Sequence, residues 1–168
     1  MDISIELEKA INEQIGIEFA ASYAYLSMAA YFERNAFDGF SKWMHLQSEE
    51  ERMHAMKFYQ YLIDRGGVAR IPSIPAPEWD FESVIKVFEA SLDQEREVTR
   101  HIYDLYKIAQ NESDFATVSF LKWFVDEQVE EEKNVSDMID KLEMAHGNPD
   151  SLLLLDRYAL ERKPDSEV

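Results

Sequence analysis

Apolar residues recur at three- and four-residue spacing through four long stretches of the chain, the signature of helices that each turn one stripe toward a shared core. The first stretch, about Ser4 to Arg34, has the stripe Leu7, Ile11, Ile15, Ser22, Met28, Ala29 and Phe32, interrupted by Glu18 and Tyr25. A break at Asn35 to Asp38 is long enough only for a tight reversal, so the second helix, about Asp38 to Arg65, runs back antiparallel. Its stripe reads Phe40, Trp43, Met44, Gln47, Glu51, His54, Phe58, Tyr61 and Leu62. Gly66 and Gly67 end it, and Pro72, Pro75 and Pro77 exclude regular helix as far as Asp80. That connection can extend roughly 50 Å at about 3.3 Å per residue, more than the roughly 42 Å of a 28-residue helix. It can therefore cross a whole helix and set the second and third helices parallel.

The third helix, about Phe81 to Gln110 with Asp80 as its expected N-cap, carries Val84, Phe88, Ser91, Leu92, Glu95, Val98, Ile102, Leu105 and Ala109. After another short break comes the fourth, about Asp114 to Ala145, with Leu121, Phe124, Gln128, Glu131, Val135, Met138 and Leu142. Gly147 closes it. Asn148 and Pro149 then open a short fifth helix through about Leu160, and the tail from Arg162 is expected to fray. The reading is all-α: a single domain over residues 1–168, with a four-helix bundle at about 4–145 and a fifth helix at about 149–160.

The polar interruptions share one level. Glu18, Glu51 with His54, Glu95, and Gln128 with Glu131 each fall within about a turn of their helix midpoint, and midpoints of similar helices align whichever way each helix runs. Glu51 and His54, three apart, leave the same helical face. Four carboxylates and one imidazole thus converge on an internal layer whose stripes supply no nearby Lys or Arg. Buried carboxylates without counter-charge are costly, and a dication is the simplest remedy. Oxygen donors with one nitrogen suit divalent iron or manganese, although zinc would also bind. The set divides naturally between two ions, with one carboxylate bridging.

Composition narrows the partners. The net charge of −17 repels nucleic acid and anionic membranes and favours cations. The absence of Cys removes disulfides, thiolate metal sites and iron-sulfur clusters. No basic segment followed by an apolar run opens the sequence, and no stretch has the roughly 20 apolar residues of a membrane span, so a cytoplasmic protein is expected. Phe19, Tyr23, Tyr31 and Tyr59 lie off the stripes and are expected at interfaces of an oligomer. Glu112 and Asp114 are candidates for an entry channel.

Glu18 with Tyr25, Glu51-x-x-His54, Glu95 and the run from Glu127 to Glu132 resemble the non-haem prokaryotic ferritins, over nearly the whole chain. The resemblance implies a ferritin-like bundle with a long crossover between the second and third helices and a short C-terminal helix. It further implies a ferroxidase that oxidises ferrous iron with oxygen or hydrogen peroxide and stores it as mineral inside a hollow homo-oligomer of 24 subunits. Carried over by position, Glu18 and His54 hold the first iron, Glu51 bridges, and Glu95 and Glu131 hold the second. Gln128 and Tyr25 attend bound water or oxygen species, and Trp123 matches an aromatic near that tyrosine. Glu50, Glu127 and Glu130 match a third iron site that shares Glu131; the alternative for them is a solvated acidic face.

Departures from related groups matter too. Haem-binding bacterioferritins have a second Glu-x-x-His on the fourth helix, where this chain has Gln128 and Glu131. Their haem-ligating Met directly follows the Glu of the second-helix motif, where this chain has Arg52; no haem is expected. Two rivals remain at this stage: a non-storing di-iron or di-manganese oxidase or peroxidase, and a non-catalytic helical scaffold.

Overall fold

A computed structural model describes residues 3–163, and the remaining residues at either end, including the tail beyond Lys163, lie outside the described part. Five helices and no strands make up that part: α1 (Ile5–Arg34), α2 (Asp38–Asp64), α3 (Val84–Asn111), α4 (Phe115–Ala145) and α5 (Pro149–Ala159).

Local chemistry fixes most of the boundaries. Ser4 caps α1 by accepting from the Leu7 amide at 3.0 Å, Asp114 caps α4 by accepting from Thr117 at 2.9 Å, and Asn148 caps α5 by accepting from Ser151 at 3.1 Å. The left-handed turn that ends α4 begins at His146, with φ of 48°, and continues through Gly147 at 69°. The start of α3 differs from expectation: it lies at Val84, and Asp80 does not cap it. The Asp80 carboxylate is instead engaged by the guanidinium of Arg34, which also lies over the rings of Tyr31 and Trp79. A long-range ion pair wins over the local cap.

Side-chain links settle the helix directions. Ser22 bonds Ser48 while Glu33 bonds Ser41 and His45, so α1 and α2 are antiparallel. Tyr25 reaches Ser91 and Glu95 while Arg34 reaches Asp80, so α3 also opposes α1. Helices α2 and α3 are therefore parallel. The crossover runs the length of α1: Val68 and Arg70 bond to Asn12 near one end, and the Glu78 carbonyl accepts from Ser27 toward the other. Pro72 packs so closely that a Cβ on Gly16 would lie 2.7 Å from its ring.

Two apolar clusters fill the bundle. One, around Phe32, Phe40, Phe88 and Met138, lies toward α5; the other, around Ile11, Phe58, Ile102 and Phe124, lies at the opposite end. Tyr31, expected at an interface, is buried in the first cluster, edge-on to Phe32 and Phe81, because the crossover covers its helix face. The fifth helix packs on α2 and α4. Asp156 accepts from the Phe40 amide at 2.8 Å, and a Cβ on Gly39 would stand 1.7 Å from the Asp156 carbonyl oxygen. Only glycine permits that approach. Beyond α5 the expected fraying does not begin at Arg162, whose guanidinium binds Glu50 at 2.8 Å and covers Trp43.

Candidate metal centre

Between the two apolar clusters lies a layer in which Glu18, Glu51, His54, Glu95, Gln128, Glu131 and Tyr25 are all buried. No Lys or Arg is among the buried residues of the described chain. Glu18, Glu51 and His54 each offer a ligand atom, and these lie within 4.8 Å of one another; no other such group of three occurs among the described residues. His54 Nδ1 stands 3.3 Å from Glu51 Oε2. Glu18 Oε2, Glu51 Oε1, His54 Nε2 and Gln128 Oε1 are buried with no hydrogen-bond partner among the described residues. Orphaned buried acceptors of this kind need an ion, a proton or water.

The α3 and α4 side of the layer is differently engaged. Tyr25 donates to one oxygen of Glu95, and Gln128 donates to the other at 3.2 Å. Gln47 donates to Glu131 Oε2 at 2.8 Å. Gln128 also reaches the Glu95 carbonyl and the Thr99 hydroxyl.

Electrostatics follow from this crowding. Burial pushes the Glu18 carboxyl up to about 7, opposed by the neighbouring Glu51 carboxyl, which can donate to it only when protonated, and by the hydrogen bond from Gln14, and assisted by the charge of Glu131. Burial and the Glu131 charge push Glu95 up to about 8. Glu51, buried and facing Glu95, Glu18 and Glu131, is raised well above the carboxylate range. Burial, with the Lys57 charge, lowers His54 to about 4, so its imidazole is neutral at pH 7, as a metal ligand must be. Burial, together with the carboxylates around it, raises Tyr25 well above the phenol range. Without a cation the layer holds protons; a dication would replace them.

Residues 8–145 match the family model of the ferritin-like domain. The chain belongs to the ferritin family. It is 42% identical to a bacterial non-haem ferritin of Staphylococcus haemolyticus, over 98% of this chain and 99% of that protein. It is 41% identical to the bacterial non-haem ferritin of Staphylococcus aureus over the same shares. Among solved structures, an open-pore ferritin from the hyperthermophilic archaeon Archaeoglobus fulgidus superposes with a TM-score of 0.95 at 40% identity, covering 96% of this chain and all of that one.

Other residues read from the ferritin resemblance are less gathered. Glu50 is buried, Glu127 half-buried and Glu130 exposed, and the three form no compact ligand group with one another. Trp123 makes its ring contacts with His54 and Phe124, edge to face, and Lys57 lies 3.3 Å over it. Asp114, a channel candidate, is occupied by both terminal nitrogens of Arg65 as well as by its cap. The layer also holds two amides outside the set expected from the sequence. Gln14 donates to Glu18 at 2.8 Å and Gln47 to Glu131. Each stands four residues before a ligand candidate of its own helix, a spacing that could have drawn attention to both.

Proposed function

We propose that this chain is one ferritin-like domain working as an iron-storage ferritin with ferroxidase activity, and that Glu18, Glu51, His54, Glu95 and Glu131 hold a pair of iron ions. The observation that carries this reading is the buried layer of carboxylates with one neutral imidazole, orphaned oxygens and no cationic side chain among them.

Ferrous iron is the substrate. Glu18 and His54 hold one ion, Glu95 and Glu131 the other, and Glu51 touches both. Loading displaces the protons that burial keeps on Glu18, Glu51 and Glu95. Each ferrous ion then gives up one electron; two electrons and two protons reduce oxygen to hydrogen peroxide, or hydrogen peroxide to two waters. Gln128, with an amide oxygen not otherwise bonded, and Tyr25, a donor to Glu95, orient water and oxidant beside the pair. Ferric product then passes to mineral within a homo-oligomer of 24 subunits. Exposed apolar side chains outside the bundle core, such as Tyr23, Leu26, Phe115 and Leu154, offer surfaces for that assembly. A third ion at Glu50, Glu127 and Glu130 would have to displace Arg162 from Glu50. No helix among the described residues is long and apolar enough to cross a membrane, in keeping with a cytoplasmic protein.

Anaerobic soaking of crystals with ferrous iron, followed by anomalous scattering, tests the centre. Two peaks flanking Glu51 are expected, and their absence overturns the assignment. Aerobic loading followed by electron microscopy tests storage: assembled particles should acquire an electron-dense core.

A further inference from the structure

Gln14 and Gln47 are buried in the bundle, and each directs its amide N–H at one carboxylate oxygen of the centre. Gln14 Nε2 donates to Glu18 Oε1 and Gln47 Nε2 to Glu131 Oε2, both at 2.8 Å. The first bond stays within α1, one turn before its carboxylate; the second crosses from α2 to α4. The remaining oxygen of Glu18 is buried and receives no N–H or hydroxyl proton among the described residues. One oxygen of this carboxylate is thus held and the other is not.

Packing alone does not account for these amides. An apolar side chain would fill either position at lower cost, and Gln47 keeps its own Oε1 buried with no hydrogen-bond partner among the described residues. Their neutrality is the second clue. Lys or Arg in either place would hold the carboxylate more strongly, but would also supply the positive charge that a dication must bring. An amide orients the carboxylate and leaves its charge to the metal. The third clue is the pattern across the layer. Glu95 is held by Tyr25 and Gln128, Glu18 by Gln14 and Glu131 by Gln47. Glu51 has only His54 Nδ1 at 3.3 Å from Oε2, and its Oε1 has no hydrogen-bond partner among the described residues. The carboxylates assigned to a single ion are therefore held by neutral donors, and the one assigned to both ions is not.

We infer that Gln14 and Gln47 are positioning residues, each gripping one oxygen of Glu18 or Glu131 so that the carboxylate meets its ion through the other oxygen alone. The inference rests on the reading of the layer as a paired ferroxidase centre. A carboxylate bound through one oxygen fills one coordination position, whereas one that swings round to chelate fills two. The grip keeps positions open for water and oxidant, and it sets the direction of the carboxylate before the ion arrives. Because the two bonds go to different carboxylates, Gln14 acts on the ion held by Glu18 and His54, and Gln47 on the ion held by Glu95 and Glu131.

The test uses Gln14→Met and Gln47→Met, which nearly preserve side-chain length and remove the donor. Anaerobic calorimetric titration of the assembled, metal-free protein with Zn²⁺, which binds without redox chemistry, should be biphasic in wild type. Gln14→Met should weaken the tighter phase by roughly tenfold or more and spare the other, and Gln47→Met should do the reverse. Equal weakening of both phases by either variant, or no change in either, would overturn the role, since a packing defect does not choose between ions. Wild-type crystals soaked with Zn²⁺ give a reading that depends on no variant. Glu18 and Glu131 should each touch Zn²⁺ through one oxygen, with the other still bonded to Gln14 or Gln47. A chelating Glu18 or Glu131 would overturn the inference while leaving the pair intact. Failure of wild type to bind two ions in this layer would instead remove the centre on which the inference rests.

Discussion

Glu18, Glu51 and His54 bring three ligand atoms within 4.8 Å of one another, whereas Glu95 and Glu131 already accept hydrogen bonds from Tyr25, Gln128 and Gln47. The first group comes from α1 and α2 and has orphaned atoms on all three members. The second comes from α3 and α4 and is held by neutral donors. A position whose ligand atoms already converge takes an ion with little rearrangement, whereas one whose carboxylates are oriented by Tyr25, Gln128 and Gln47 depends on those donors to stay in place around the ion. The two ions should therefore bind unequally, the first through Glu18 and His54.

The largest expected effect breaks the comparison outright. Glu51→Ala removes the carboxylate proposed to be common to both halves, and rapid ferrous oxidation followed by the rise of ferric absorbance should fall more than the roughly 10- to 100-fold usual for loss of an outer partner. An unchanged rate would sink the enzymatic reading. His54→Ala separates the halves: titration of wild type should be biphasic, and the variant should lose the tighter phase while keeping the weaker. Loss of both phases together would show the ions to be interdependent. Tyr25→Phe probes the other side, removing a donor to Glu95; the weaker phase should drop by roughly tenfold with the tighter one little changed.

The smallest effect is on stability. In the folded, metal-free protein Glu18 titrates near 7 and Glu95 near 8, against an ordinary value of 4.5. Between 4.5 and about 8 the folded state keeps protons that the unfolded chain has lost, so stability is greatest at the acidic end and declines as pH rises. Melting temperature should follow that slope in metal-free protein, and saturation with Zn²⁺ should flatten it. A flat profile without metal would mean that the carboxylates are ionised in the fold.

Much of this half-and-half arrangement was legible in the sequence, because it depends on periodicity. The stripes placed Glu18, Glu51, Glu95 and Glu131 at helix midpoints, and the three-residue step from Glu51 to His54 put both on one face. Four helices and a crossover that spans one of them followed from the same pattern. What periodicity does not carry is the partner of a side chain on another helix. Gln47 lies one turn from Glu51 yet bonds Glu131, Asp80 answers Arg34 instead of capping α3, and Arg162 reaches back across the chain to Glu50. These are choices between local and distant partners, decided by packing.

The first turn of α2 shows such a distant choice with a further consequence. Phe37 offers that helix no side-chain cap, and the Phe40 amide finds its acceptor in Asp156 of α5, against the bare backbone of Gly39. The helix that carries Glu51 and His54 is thus completed by a residue 116 positions later. During synthesis from the amino end, Glu51 and His54, the proposed ligands on α2, emerge well before the carboxylate that finishes their helix, so a growing chain carries these groups before it has the means to hold them in register.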